Sequence, residues 1–301
     1  MARIKTLIES NFSLLLLVGF LLGFVVPSVG GVADEIAIVL TAVLIFLSCA
    51  DIKPVDFLKI DVFEVALFSV LRFAAFPLVA FFIVKGMFPE FAVGTLLLLV
   101  MPAGVAVASL CSMAGAKVAL GLSLTIVSSL LAPAFIPGIF AFVGQYVTVD
   151  IFKLFVTLVL VVFVPILLYF FGAAKVSKLD KVVKDYNKSA AVVILSIILT
   201  IVIAAQKSEF LDNLSLIFTG FWIMVVIIGA CYVFGIIYSL FVEKESKVPY
   251  IISSGAMNNS LAVGIAFAYF DATTSLFIVL SEVVWSIYVA LAQWIFSKRA
   301  V

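Results

Sequence analysis

Continuous apolar runs of bilayer-crossing length set the terms for this chain. The first extends from Phe12 to Val29, and others follow to the C-terminal end. A helix needs ~20 residues to span hydrocarbon, and ten segments approach or meet that length. They lie at 12–30, 33–50, 62–85, 91–115, 118–143, 149–172, 189–206, 213–242, 247–270 and 273–297. The runs do not alternate polar with apolar residues, so helices rather than barrel strands are expected. Hydrophobic residues make up 66% of the 301 and charged residues 12%. A soluble domain of this length could not hide so much apolar surface. The bulk solvent for most of the chain is therefore lipid. The first run matches a signal peptide in apolar length but lacks a small-residue cleavage site, and it is read as a transmembrane helix.

Several function classes drop out. A formal net charge of +1 supplies no basic field for nucleic acid. The absence of histidine excludes an imidazole relay and a histidine-ligated metal. Cys49, Cys111 and Cys231 lack paired spacing, which argues against zinc or iron–sulfur, and they are read as small apolar fillers. No nucleophile–base spacing or phosphate loop is visible. The chain is expected to be no enzyme, with no catalytic residue, no metal and no cofactor.

The one long polar stretch is AAKVSKLDKVVKDYNKSA, residues 173–190. Its lysines mark an exposed connector (173–188) between a first half, 1–172, and a second half, 189–301. With the N-terminus inside, fourteen lysines and arginines fall on the cytoplasmic side and three on the other, leaving Arg72 within a segment. That bias supports ten crossings with both termini cytoplasmic, in a plasma (inner) membrane. Ten segments make five plus five, and an odd-numbered repeat places its second copy inverted in the membrane.

The fourth and ninth segments, corresponding members of such repeats, are both interrupted. The fourth contains MPAGVAVAS (101–109) and the ninth SSGAMNNSLAVG (253–264). Proline removes a backbone donor and glycine admits unusual dihedrals, so both loosen a helix. Irregular backbone at membrane depth survives only when buried in protein or lining a wet cavity. Paired interruptions of this kind are the best sequence pointer to a transporter's binding site.

With those strings the layout resembles the bile acid:sodium symporter family. The P-x-G break, the later G-x-M-x-N-S-x-L-A string and the run VALGLSLTIVSSLLAPAFIPGIF (118–140) carry the resemblance, which covers essentially the whole chain. It implies ten helices in two inverted five-helix repeats, with interrupted helices 4 and 9 crossing at mid-membrane. A core domain (segments 3–5 and 8–10) would move against a panel (1, 2, 6 and 7) in alternating access. Family members carry bile salts or smaller organic anions, driven by two sodium ions.

The departures fall on the sodium positions. The family's first crossover, P-G-G-T-A-S-N, here reads Pro102, Ala103, Gly104, Val105, Ala106, Val107, Ala108. Its two hydroxyl positions on segment 5 match Gly121 and Thr125. The second crossover, E-x-G-M-Q-N, reads Ser254, Gly255, Ala256, Met257, Asn258, Asn259, so the glutamate shared by both ions has become Ser254. The glutamine on segment 3 has become Arg72, a permanently charged guanidinium with five donors. Arg72 is read as a tethered cation standing in for the missing ion.

A buried charge needs a partner. The acidic residue deep in a segment is Glu282. At ~1.5 Å per residue it and Arg72 lie at similar depth, so an Arg72–Glu282 pair is expected. Three roles for Arg72 stand side by side: a structural ion pair, a direct contact to an anionic substrate, and a coupling switch in which Glu282 takes up a proton. Substrate contacts are expected from Asn258, Asn259, Ser260, Ser109, Pro102 and Gly104. Arg72, Glu282, Thr125, Ser254 and Met257 are expected in the ion or coupling site. The leading expectation is a sodium-independent carrier of small organic anions. The alternatives are a sodium- or proton-coupled symporter of bile-acid-like or keto-acid anions, and a non-transporting membrane sensor. Partners are the substrate and the lipid bilayer, and the sequence leaves the oligomeric state open.

Overall fold

The computed structural model describes residues 5, 11–27, 33–51, 61–104, 106–144, 149–212 and 214–299. Every regular element among them is helical, and the one exception is an isolated bridge between Ala103 and Met257. In chain order the α-helices are α1 (Phe12–Val25), α2 (Ala33–Ser48), α3 (Val62–Val70), α4 (Phe76–Met87), α5 (Pro89–Leu99), α6 (Ala106–Met113) and α7 (Val118–Phe142). They continue with α8 (Ile151–Phe171), α9 (Ser177–Asp212), α10 (Leu214–Tyr238), α11 (Lys247–Gly255), α12 (Asn259–Tyr269) and α13 (Ala272–Arg299).

Among the described residues, six helical stretches are long and apolar enough to cross a membrane: 63–87, 118–142, 151–175, 177–208, 214–241 and 272–289. Four shorter apolar helices, 14–25, 35–48, 89–99 and 259–269, accompany them. The sequence-expected fourth and ninth segments each divide into two short helices, α5–α6 and α11–α12. From Ser177 onward the lysine-rich connector forms the first turns of α9. Asp180 bonds Lys184 one turn on and accepts from the Tyr169 hydroxyl, tying this end of α9 to α8.

Capping explains where several helices begin. Asp61 accepts from the amides of Phe63 and Glu64 to start α3. Asp150 accepts from Lys153 at α8, and Asp271 from Thr274 at α13. Each side chain satisfies donors that a first helical turn leaves without partners. At the other end of an element, Gly115 takes φ +64 just beyond α6, the left-handed conformation that glycine reaches without a Cβ penalty.

The interior is apolar and close-packed around the end of α5 and around α12, where Leu96 to Leu99 and Ala262 to Ala266 are almost wholly buried. α1 lies along α9, and α2 contacts α8, α9 and α12. Close approach of α1 and α9 shows in the Thr200 hydroxyl, which donates to the Gly19 carbonyl at 2.9 Å. Large apolar side chains such as Phe63, Phe152 and Phe218 point outward, as a lipid solvent requires and water would penalise.

Candidate functional site

The site begins with two helix interruptions that pair with each other. Between α5 and α6 the helix is interrupted at Pro102–Gly104, and between α11 and α12 at Ala256–Asn258, with Ala103 and Met257 forming an antiparallel bridge. Freed backbone groups from each break meet the other. The Gly104 amide donates to the Ala256 carbonyl at 2.7 Å, and the Asn258 amide to the Pro102 carbonyl at 2.8 Å. Buried polar backbone is thus satisfied where no water is at hand. Gly104 is required by this approach, because a Cβ there would sit 2.7 Å from the Met257 carbonyl oxygen. Helix α7 buttresses the first break: Ser128 Oγ accepts from the Ala103 amide at 3.0 Å, and the Thr125 hydroxyl donates to the Gly104 carbonyl at 3.2 Å.

Arg72 lies in a π turn, Leu71–Ala75, between α3 and α4. The cause is in the sequence. Pro77 has no N–H and its ring crowds the carbonyl four residues back, so the preceding turn widens. Such turns recur at functional positions. The guanidinium is fully buried and its donors go to three places. Nε donates to the Ser254 carbonyl at 2.7 Å, Nη1 to the Leu99 carbonyl at 3.1 Å and Nη2 to Cys231 Sγ at 3.2 Å. Leu99 ends α5 and Ser254 is the penultimate residue of α11. Both carbonyls belong to last turns that have no further intrahelical donor. Two negative helix ends therefore converge on one fixed cation. The guanidinium also stacks over Phe73 and Phe76, with ring centroids 5.0 and 5.3 Å away, a favourable placement for a desolvated cation.

The expected Arg72–Glu282 pair is not formed. Among the described residues, the ion pairs join Lys117 to Glu243 and Glu245 and Lys184 to Asp180. The reason is geometric: counting residues along a helix says nothing of facing direction, and the two side chains face different neighbours. Arg72 turns into the ends of α5 and α11, whereas Glu282, 2% exposed, faces the Asn259 amide on α12. Neither the two amide heavy atoms of Asn259 nor Glu282 Oε1 completes a hydrogen bond.

A cavity of about 310 Å³ opens beside the crossing. Gly104, Ser109, Met257, Asn258, Asn259, Ser260 and Glu282 all line it, so most of the sequence-expected substrate contacts come together with Glu282. Its other walls are α2, α9 and the stretch of α13 after Glu282. It runs from the crossing toward the end of the molecule where α2 finishes and α9 starts. Pro102, Thr125, Ser254 and Arg72 are not among the lining residues. A buried Arg72 outside the cavity wall is not placed to touch a molecule held there.

The individual roles differ from expectation in instructive ways. Asn258 caps α12, its side-chain oxygen accepting from the Leu261 amide at 3.1 Å. The Ser254 hydroxyl is spent on the Tyr250 carbonyl, and it is the Ser254 carbonyl that meets Arg72. Cys231 is more than apolar filler, since its sulfur is one of the guanidinium's partners. Sequence reasoning missed Cys231 and the Leu99 carbonyl, and it missed Thr41, Lys188 and Trp285 in the cavity wall. Only Leu99 carried a signal, as the residue just before the Pro/Gly break.

Around the Arg72 position the available oxygens are carbonyls already accepting from a guanidinium, and the hydroxyls of Thr125 and Ser254 already donate to backbone.

No curated protein matches the chain. A family model described as the sodium bile acid symporter family does match it, over residues 35–235. That span takes in the π turn, both arms of the first break, α7 and Cys231. The helices and the match agree, and the chain belongs to the sodium bile acid symporter family, a family of membrane transporters.

Proposed function

We propose that the protein carries small organic anions by alternating access without sodium, with Arg72 permanently filling the place of the ion. The observation that carries this reading is the arrangement of Arg72 between the Leu99 and Ser254 carbonyls. Broken transporter helices commonly direct carbonyls at a coupling cation and helix N-termini at an anionic substrate. Here the carbonyl side is saturated by a tethered charge that cannot leave. The opposite ends, the N-termini of α6 and α12, begin at the cavity wall with Ala106 and Asn259. Their positive ends favour a carboxylate, and Ser109, Asn258, Asn259 and Ser260 add polar contacts.

The same reading takes the helices as ten crossings in two inverted five-helix repeats, with α5–α6 and α11–α12 each forming one broken crossing. α1, α2, α8 and α9 form the panel, and the remaining helices form the core. The cavity lies between these groups. The lysine bias puts the connector end in the cytoplasm, so the cavity faces inward, in a plasma (inner) membrane with both termini inside.

The test is uptake of radiolabelled 4-methyl-2-oxopentanoate into proteoliposomes, with external sodium replaced by choline. Initial rates should be equal in the two media. Uptake that depends strictly on sodium sinks the reading. Specific binding with no flux in either medium points instead to a sensor.

A further inference from the structure

The cavity holds a carboxyl group that the passage of an anion has to accommodate. Glu282 is 2% exposed, lines the cavity and faces the Asn259 amide. The ion pairs among the described residues do not involve it, and Arg72 is engaged by Ser254, Leu99 and Cys231. Among the described residues, the other charged side chain in the wall is Lys188, on the exposed connector end of α9. The helices packed closely against α13 are α5, α9, α10 and α12. Apart from Lys188, the titratable groups they bring have other places. Glu90 is exposed at the first turn of α5. On α10, Cys231 accepts from Arg72, Tyr232 stacks on Tyr288, and Tyr238 donates to the Glu64 carbonyl. At the far end of α12 the Tyr269 hydroxyl pairs with that of Thr157, and on α13 itself Tyr288 donates to the Val225 carbonyl.

A substrate carboxylate held in this cavity shares it with the Glu282 carboxyl group. Two ionised carboxylates in one weakly solvated site repel each other, and the arrangement is stable when one of them holds a proton. Asn259 is suited to both forms of its neighbour. Its Nδ2 can donate to a carboxylate and its Oδ1 can accept from a carboxylic acid, and neither atom is committed to another partner. A neutral amide in that place, rather than a fixed cation, lets the proton come and go. We infer that Glu282 is a proton-binding site and that each organic anion crosses together with one proton on the Glu282 carboxyl group. The proton joins Glu282 where the anion is loaded and leaves it where the anion is released. The emptied carrier then returns with the carboxylate against Asn259 Nδ2. One proton per monovalent anion makes the cycle electroneutral. This inference rests on the cavity being the anion site, as proposed above.

Uptake of radiolabelled 4-methyl-2-oxopentanoate into sodium-free proteoliposomes tests it, with the membrane potential clamped by potassium and valinomycin. Accumulation is read before protein-free vesicles begin to fill. Uptake without any gradient, above that of protein-free vesicles, establishes the carrier. An interior made more alkaline by about one pH unit should then drive accumulation toward about ten-fold above equilibration, the limit for one proton per anion. A potential imposed without a pH difference should drive none. In Glu282→Gln, whose side chain cannot take up the proton, the pH difference should no longer raise accumulation above equilibration. Wild-type accumulation that is the same with and without the pH difference would leave the carrier standing and overturn the proton site. Gradient-driven accumulation by Glu282→Gln equal to that of the wild type would overturn the assignment to Glu282. If the wild type takes up nothing in any medium, both readings fall. The wild-type comparison keeps the inference open to refutation even if the variant does not fold.

Discussion

The two sides of the helix crossing make opposite use of the same physics. On one side the C-terminal ends of α5 and α11 meet Arg72, and the donors of the guanidinium find acceptors inside the protein. On the other side the start of α12 faces Glu282, and polar atoms of both Asn259 and Glu282 stay without partners beside a cavity. A saturated buried charge is part of the scaffold. An unsatisfied one of similar burial is costly unless a guest completes it. The crossing therefore has a closed face and an open one, and in the proposed reading the Arg72 side chain on the closed face takes the place of the family's cation.

Removing the guanidinium should break this contrast most severely. Arg72→Met orphans two buried carbonyls at about 1–3 kcal/mol each, so thermal unfolding in detergent should fall by several degrees or the variant should fail to fold. Arg72→Lys should recover only part of the loss, because an ammonium lacks the planar fork that reaches three acceptors. An unchanged melting temperature in both would show that the closed face is not structural. Gly104→Ala comes next. Its Cβ would press on the Met257 carbonyl, and overpacking of this kind costs about 1–3 kcal/mol. Because Gly104 also lines the cavity, ligand binding should weaken along with stability.

Cys231→Ala removes one acceptor from Arg72 and leaves the two carbonyl contacts, so a loss of about 1 kcal/mol is expected. The smallest effect on stability should come from Glu282→Gln. It exchanges a buried carboxyl group that has no ion-pair partner among the described residues for an amide of nearly the same shape, so the melting temperature should hold or rise slightly. A large destabilisation would mean that Glu282 has a structural partner, and the open face would lose its meaning.

Much of this was legible in the sequence, but unevenly. The strings MPAGVAVAS and SSGAMNNSLAVG located both breaks, because proline, glycine and clustered polar residues are costly in a membrane helix. Arg72 and Glu282 stood out for the same reason. Their partners did not. Depth along a helix follows from counting residues, but the facing direction depends on how helices pack, and the π turn at Leu71–Ala75 shifts that direction further. The decisive acceptors at Leu99 and Ser254 are main-chain carbonyls, which every residue has and no side-chain pattern marks. Cys231 was hidden because an isolated cysteine in an apolar run looks like packing. The lysines of the connector marked its exposure, which the structure shows for Lys178, Lys181, Lys184 and Lys188, but not that its helix formers extend α9 into the polar region.

Equilibrium binding of 22Na+ to the purified protein tests most directly whether Arg72 has replaced the ion. The account predicts no saturable sodium binding to the wild type. It also predicts the appearance of binding when family residues are restored together in an Arg72→Gln, Ser254→Glu double variant. Saturable 22Na+ binding to the wild-type protein would contradict it.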